Sequence, residues 1–209
     1  GKGRNFDAIL EKLRQDEVLR WADVILLNEA DCGMNRSGNR HIALELARVL
    51  GMNMTFAPAH FELTKGVAEE LALDGDNRES LQGNAVLSRH PILESRVTLL
   101  PSTFEPYEFA EKRFGRRNCV WTRLRVGTRP VWVGSVHLEV RATPQGRARQ
   151  VRQLLKELPA GNGEACLLGG DLNSNGFARG TLRHTLRSSV YLVTRPAARV
   201  MEDLRHPER

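Results

Sequence analysis

Ala165-Cys166-Leu167-Leu168-Gly169-Gly170-Asp171-Leu172-Asn173-Ser174-Asn175 is the stretch on which the reading of this chain turns. A brief apolar run, too short for a core helix and closed by two glycines, reads as a buried strand. Side chains two apart on an extended strand share a face, so Asp171 and Asn173 are expected to point the same way. They stand at the carboxyl end of the strand, where open α/β sheets place their chemistry. The same letters also fit the opening of a calcium loop, Asp-x-Asn-x-Asn-Gly, through Asp171, Asn173, Asn175 and Gly176. That loop needs a bidentate Glu at its twelfth position, and Leu182 stands there instead, so the calcium reading fails.

Two other strands end in the same manner. Val24-Ile25-Leu26-Leu27 delivers Asn28, Glu29 and Asp31, and the strand Val131–Leu138 delivers His137 and Glu139. One acid or one imidazole at a strand end is ordinary surface or hydrogen-bonding chemistry. Three buried strands that all end in groups an apolar core does not need point to a shared site.

Around these strands the pattern changes period. Phe6, Ile9, Leu10 and Leu13 have amphipathic helical spacing, with Asn5 placed as N-cap and an end near Val18. Ile42–Leu50 reads as a helix with Gly51 at C′. Met54-Thr55-Phe56-Ala57 reads as a short strand, residues 64–82 as a long mobile connection, and Asn84–Leu87 as a strand followed by another through Val97 to Leu100. Residues 101–117 are polar, and Lys112-Arg113-Phe114-Gly115-Arg116-Arg117 reads as a basic surface loop. Val120, Thr122, Leu124 and Val126 alternate and turn through Thr128-Arg129-Pro130 into Val131–Leu138, which makes an antiparallel hairpin. Val151, Leu154, Leu155 and Leu158 mark one face of a helix starting at Pro144. A last helix is expected near residues 179–188, and residues 191–209 have no clear pattern. Mixed sheets covered by helices fit this order better than a regular parallel series.

Composition narrows the function classes. The 209 residues, 41% hydrophobic and 27% charged, suit one globular domain with a substantial core. No apolar run approaches the ~18 residues of a membrane-spanning helix. Cys32, Cys119 and Cys166 are scattered without a C-x-x-C, which indicates neither a disulfide framework nor a zinc site. The net charge of +6 favours anionic partners. Only 5 of the 31 basic residues are lysine, and the arginine bias suits phosphate but equally follows from a GC-rich genome, so charge alone does not establish nucleic-acid binding. The low aromatic content, 6%, argues against a dedicated single-strand binder. The compartment is undetermined, with the cytoplasm favoured, and a monomer is expected.

With these motifs in order, the chain resembles the endonuclease/exonuclease/phosphatase superfamily, metal-dependent phosphodiesterases related to deoxyribonuclease, abasic-site endonucleases and neutral sphingomyelinases. The matching segments are Leu27-Asn28-Glu29, Gly83-Asn84-Ala85-Val86-Leu87-Ser88-Arg89-His90-Pro91-Ile92, Ser135-Val136-His137-Leu138-Glu139, Arg147 with Gln150, and Gly169-Gly170-Asp171-Leu172-Asn173. The resemblance implies an α/β, α+β-type four-layer sandwich of two mixed β-sheets flanked by helices, with the site at one edge. It implies that Glu29 ligates Mg²⁺, with Mn²⁺ the alternative ion, that Asp171 orients and deprotonates the attacking water, and that Asn173 donates to the developing phosphoryl charge. His137 would contact the phosphate or act as general acid. Asn84 would touch substrate or close a turn. Arg147 would support the site edge or contact substrate, and Arg117 would bind phosphate or belong to a solvated loop. The substrate would be a phosphate ester: nucleic acid, a phospholipid headgroup or a small soluble ester.

The family also opens with an Asn-bearing strand and closes with strands carrying a further Asp and then an Asp-His pair. Neither is matched; Asp203 and His206 have the wrong spacing, and those roles are not carried over. The expectation is therefore a single domain over residues 1–209, incomplete at both ends and part of a longer protein. The competing reading is a catalytically degenerate domain of the same fold that binds an anionic partner.

Overall fold

Apolar residues on both faces of the central strands decide the architecture, because such strands must be covered on each side. The computed structural model describes residues 6–102, 112–159 and 163–173. The elements are α1 (Phe6–Gln15), β1 (Val24–Cys32), α2 (Ile42–Leu50), β2 (Asn53–Glu62), β3 (Leu81–Ser88), β4 (Ile92–Leu99), β5 (Arg113–Gly115), β6 (Asn118–Val126), β7 (Arg129–His137), α3 (Pro144–Lys156) and β8 (Ala165–Asp171). Two four-stranded sheets result, ordered β1-β3-β2-β5 and β4-β6-β7-β8.

Three apolar clusters correspond to the three interfaces of a helix–sheet–sheet–helix sandwich. Ala85 and Leu87 of β3 face outward to meet Phe6 of α1 and Ala43, Leu46 and Ala47 of α2. Val86, one position along, faces inward with Ala57, Val120, Leu124 and Val133 between the sheets. Cys119, Trp121, Trp132 and Val136 face outward from the second sheet and pack with Leu154 of α3. A fully buried Val or Leu in such a core stabilises by about 1.5–3 kcal/mol.

Among the described residues the first sheet pairs antiparallel. The second is mixed: β4, β6 and β7 pair antiparallel, and β7 pairs parallel with β8 across the α3 crossover. Gly51 closes α2 at φ 64°, donating to the Ala47 and Arg48 carbonyls, and Thr143 caps α3 through a 3.1 Å bond from Gly146 N. Both boundaries match the sequence reading. α1 stops at Gln15, short of the expected end near Val18, and a turn of 3-10 helix follows at Leu19–Trp21. Asn5 and residues 179–188 and 191–209 lie outside the described residues.

Four expectations are corrected. β2 runs through Pro58 to Glu62 rather than ending at Ala57, because a register shift between Pro58 and His60 absorbs the proline. Residues 64–80 are pinned to the loop after β1: Asn35 donates to the Asp74 and Gly75 carbonyls, Asn39 donates to the Asp76 carbonyl, and Asn77 accepts from Asn35 N. The buried face of α3 is Arg147, Gln150 and Leu154, whereas Val151, Leu155 and Leu158 are partly or largely exposed. Polar side chains hold that face because backbone groups of the β7–α3 turn need partners there. Among the described residues β8 pairs only with β7, and Leu167 is 62% exposed, so the strand read as buried stands at an edge.

Candidate active site where the sheets meet

Glu29 comes from a defect in β1. The register with β3 shifts between Leu27 and Ala30, and Glu29 takes φ 55°, in the left-handed region that L-residues avoid. The bulge turns its carboxylate out of the ladder and leaves it exposed. Among the described residues it makes no hydrogen bond or ion pair, yet its charge is felt by both Arg117 and His137.

His137 closes β7, only 4% exposed. Arg117 Nη1 lies 2.7 Å from its Nδ1. A guanidinium can only donate, so Nδ1 accepts and the imidazole proton sits on Nε2. Burial first, and the Arg117 charge second, push His137 down to about 4, against the opposing pull of Glu29, Asp171 and Glu139. The ring is thus a neutral Nε2–H donor near neutral pH rather than the imidazolium a general acid requires.

Asp171 pairs with His137 across β7 and β8, and its Oδ2 is 3.7 Å from His137 Nε2. That is too long for a direct hydrogen bond, so the two groups flank a space one small group could bridge. Its Oδ1 accepts from Asn173 N at 2.9 Å, an Asx turn that puts Asn173 at φ 47°. The strand has ended by then, so Asn173 does not share a strand face with Asp171 as expected. Its Nδ2 instead donates to the Leu138 carbonyl at 2.8 Å.

Arg117, read as part of a surface loop, is 5% exposed. β5 pairs with β2 and carries the chain inward, so Arg117 lies between His137 and Glu139, with Nε 3.4 Å from Glu139 Oε2. Burial lowers its basicity, while Glu139 and Glu29 raise it. Behind it, His60 of β2 is 3% exposed with an Nδ1 that has no hydrogen-bond partner. Burial, Arg113, Arg117 and His137 push His60 down to about 3.

Asn84 is neither a surface contact nor a turn residue. At 1% exposure in mid-β3, it takes 2.8 Å donation from Asn28 Nδ2 and gives its own amide protons to the Asn118 carbonyl and Asn118 Oδ1, each at 2.9 Å. Arg147 donates to the Ala142 carbonyl at 2.7 Å, and Gln150 bridges Glu139 N and the Pro101 carbonyl. Both shape the turn after β7 from behind. Asp31 is drawn away by Arg36, at 2.9 Å, and by Ser37. Asn118 and His60 were not singled out from the sequence, and Asn28 was named at the end of its strand without a role; Asn118 adjoins Arg117, and that adjacency was the available signal.

A divalent ion can be tested against the donor set. Glu29 offers an exposed carboxylate with no hydrogen-bond or ion-pair partner among the described residues. Among the described residues no group of three or more His, Cys, Asp and Glu converges as a metal cage. Zinc-type ligation is not supported by that set. A hard ion that keeps several waters and takes one or two carboxylates fits it.

The fold is thus helix, sheet, sheet, helix, with Glu29 on one sheet and His137 and the Asp171–Asn173 turn at the strand ends of the other. The chain belongs to the endonuclease/exonuclease/phosphatase family, whose model matches residues 2–203. It is similar to a solved endonuclease/exonuclease/phosphatase from Beutenbergia cavernae, 25% identical, at TM-score 0.54 over 83% of this chain and 42% of that one. It is similar in fold to the human Nocturnin catalytic domain with bound sulfate, 16% identical, at TM-score 0.57 over 95% of this chain and 66% of that one. It is also similar in fold to D. rerio TDP2 complexed with a single-strand DNA product, 16% identical, at TM-score 0.52 over 82% and 56% of the two chains. The chain therefore spans between 42% and 66% of the length of these structures. Among curated protein sequences none matches.

Proposed function

We propose that this protein hydrolyses phosphodiesters with the help of a divalent ion, most simply Mg²⁺, held by Glu29. The observation that supports this best is the 3.7 Å approach of Asp171 Oδ2 to the Nε2–H of a neutral His137, backed by Arg117. Asp171 has one oxygen fixed by the Asn173 amide, which leaves Oδ2 to orient a water and take its proton. The His137 Nε2–H donates to a phosphoryl oxygen, and Asn173 carries a second amide proton toward the same charge. Arg117 adds positive charge from the wall of the site, where its Nε donates to Glu139 Oε2 at 3.4 Å. When bound, the ion supplies charge neutralisation at the phosphate, which phosphoryl transfer needs more than covalent help.

The substrate class rests on the family reading, a nucleic acid, a phospholipid headgroup or a small phosphate ester, and the net charge of +6 suits any of these anions. D. rerio TDP2 was solved with a single-strand DNA product, which makes oligonucleotides the first panel to try.

The test is hydrolysis of a bis-aryl phosphate by the complete protein, with Mg²⁺ or with chelator, beside Asp171→Ala and Glu29→Gln. Loss of activity on chelation and in Asp171→Ala by about 10³-fold or more is expected, with Glu29→Gln raising the Mg²⁺ concentration required. Activity that survives both chelation and Asp171→Ala overturns the site.

A further inference from the structure

The residue preceding Glu29 makes more hydrogen bonds than any catalytic candidate. Asn28 points between the sheets, where its Oδ1 accepts from the backbone N–H of Asp171 at 2.8 Å. Its Nδ2 donates to Asn84 Oδ1 at 2.8 Å, to the Val136 carbonyl at 3.1 Å and to Ser135 Oγ at 3.4 Å. Ser135 Oγ in turn donates to the Leu27 carbonyl at 3.1 Å. One side chain on β1 is thus bonded to β3, β7 and β8.

The amide's orientation is fixed by its surroundings. An N–H at the Asp171 end demands an oxygen, and a carbonyl at the Val136 end demands a nitrogen. The same polarity continues through Asn84 to Asn118, whose Nδ2 donates to the Pro58 carbonyl at 2.9 Å. Asn84 and Asn118 are 1% and 0% exposed, so the inner links lie out of water, where a broken bond costs most, while Asn28 is half-buried and its bond to Asp171 N lies at the exposed end of the chain.

The glycines of the opening motif find their reason here. A Cβ on Gly170, which has φ 133°, would come to 2.0 Å from the Val136 carbonyl oxygen and 3.0 Å from Asn28 Oδ1. A Cβ on Gly169 would meet Leu26 Cδ1 at 2.8 Å. Two residues without side chains let β8 approach β1 closely enough for the Asn28 amide to reach the Asp171 main chain.

We propose that Asn28 is a positioning residue that sets the distance between Glu29 and Asp171. It is joined covalently to the first and by hydrogen bond to the backbone of the second, and it touches no reacting atom. The inference rests on the reading of Asp171 as the base. A displaced base alters turnover rather than binding, and a misplacement of about 1 Å is enough for a loss near 10²-fold.

The experiment combines a double-mutant cycle with amide exchange in the complete protein. Asn28→Ala is expected to lower kcat by about 10²-fold with KM little changed. In the Asp171→Ala background the same substitution should cost no further activity, because there is no base left to position. In the metal-free protein, exchange of the Asp171 amide proton, followed by NMR, should accelerate at least about tenfold in Asn28→Ala. A Leu46→Val variant, altered in the α2 packing layer, should leave that proton protected. Asn28→Ser, whose hydroxyl is too short to span the gap, gives the same readouts should the alanine variant fail to fold. Unchanged exchange at Asp171, or kcat losses that multiply across the cycle, overturns the inference. Full activity in Asp171→Ala alone would instead overturn the assignment of the base, a result the exchange measurement does not depend on.

Discussion

Arg117 Nη1 donates to His137 Nδ1 across 2.7 Å, and that single contact decides what the histidine can do. With Nδ1 accepting, protonation of the ring would bring an N–H against a guanidinium that has no lone pair to offer. Replacing Arg117 by Met is expected to move the His137 titration up from about 4 toward the ordinary histidine range, as read from its ring proton shifts. Activity should fall at the same time by roughly 10²-fold, because the positive charge in the site wall and the contact that orients the His137 donor are lost together. A titration that stays near its starting value would show that burial alone sets it.

Acid should destabilise the fold through two histidines. His60 and His137 fall to about 3 and about 4 in the native state, below their ordinary value of 6.5. Between those values the unfolded chain binds more protons than the folded one, so stability rises with pH and is lost as pH drops below 6.5. Denaturant unfolding in chelator should show the free energy falling from pH 7 to pH 5, with a limiting slope of roughly 2.7 kcal/mol per pH unit for two such groups. His60→Gln should remove about half of that slope. An unchanged slope in the variant would assign the effect elsewhere.

Glu29 carries backbone strain at φ 55°. A left-handed conformation costs an L-residue roughly 1–2 kcal/mol, which glycine avoids at some cost in chain entropy. Glu29→Gly is therefore expected to unfold at a higher denaturant concentration than Glu29→Ala, by about 1 kcal/mol, while both lose activity. Equal stability would mean that the bulge relaxes when the carboxylate is removed.

The amide chain between the sheets predicts its own mutational signature. Asn84→Leu removes an acceptor from Asn28 and two donations to Asn118, leaving buried polar atoms on both sides. A cost of about 1–3 kcal/mol for each orphaned group is expected in urea unfolding. A neutral substitution would show that the neighbours find water instead.

What could be read from the sequence was what depends on local periodicity. α2 with Gly51, the start of α3 at Pro144, and the β6–β7 hairpin all follow from spacing within a dozen residues. The convergence of Glu29, His137 and Asp171 was legible because three strand ends carried unneeded polarity. Pairing, not spacing, governed the rest. β2 continues through Pro58 because a bulge absorbs it, and Arg117 is buried because β5 adds to β2 and draws the chain inward. α3 turns Arg147 and Gln150 inward, against its apolar stripe, to satisfy carbonyl and amide groups of a turn that only the tertiary structure creates. Asn28 was visible as a letter in a motif, but its partners lie 56 to 143 residues away.

Glu29 belongs to one sheet, and His137, Asp171 and Asn173 belong to or follow the other. The proposed machinery is therefore assembled by lamination, and its geometry can be no more accurate than the alignment of two stacked layers. Val86 and Leu124, both 0% exposed between the sheets, lie in the layer that keeps that alignment. Trimming such residues would let one layer shear over the other by fractions of an ångström while each remains intact. The first symptom of wear in this core would be a misaligned site, well before an unfolded domain.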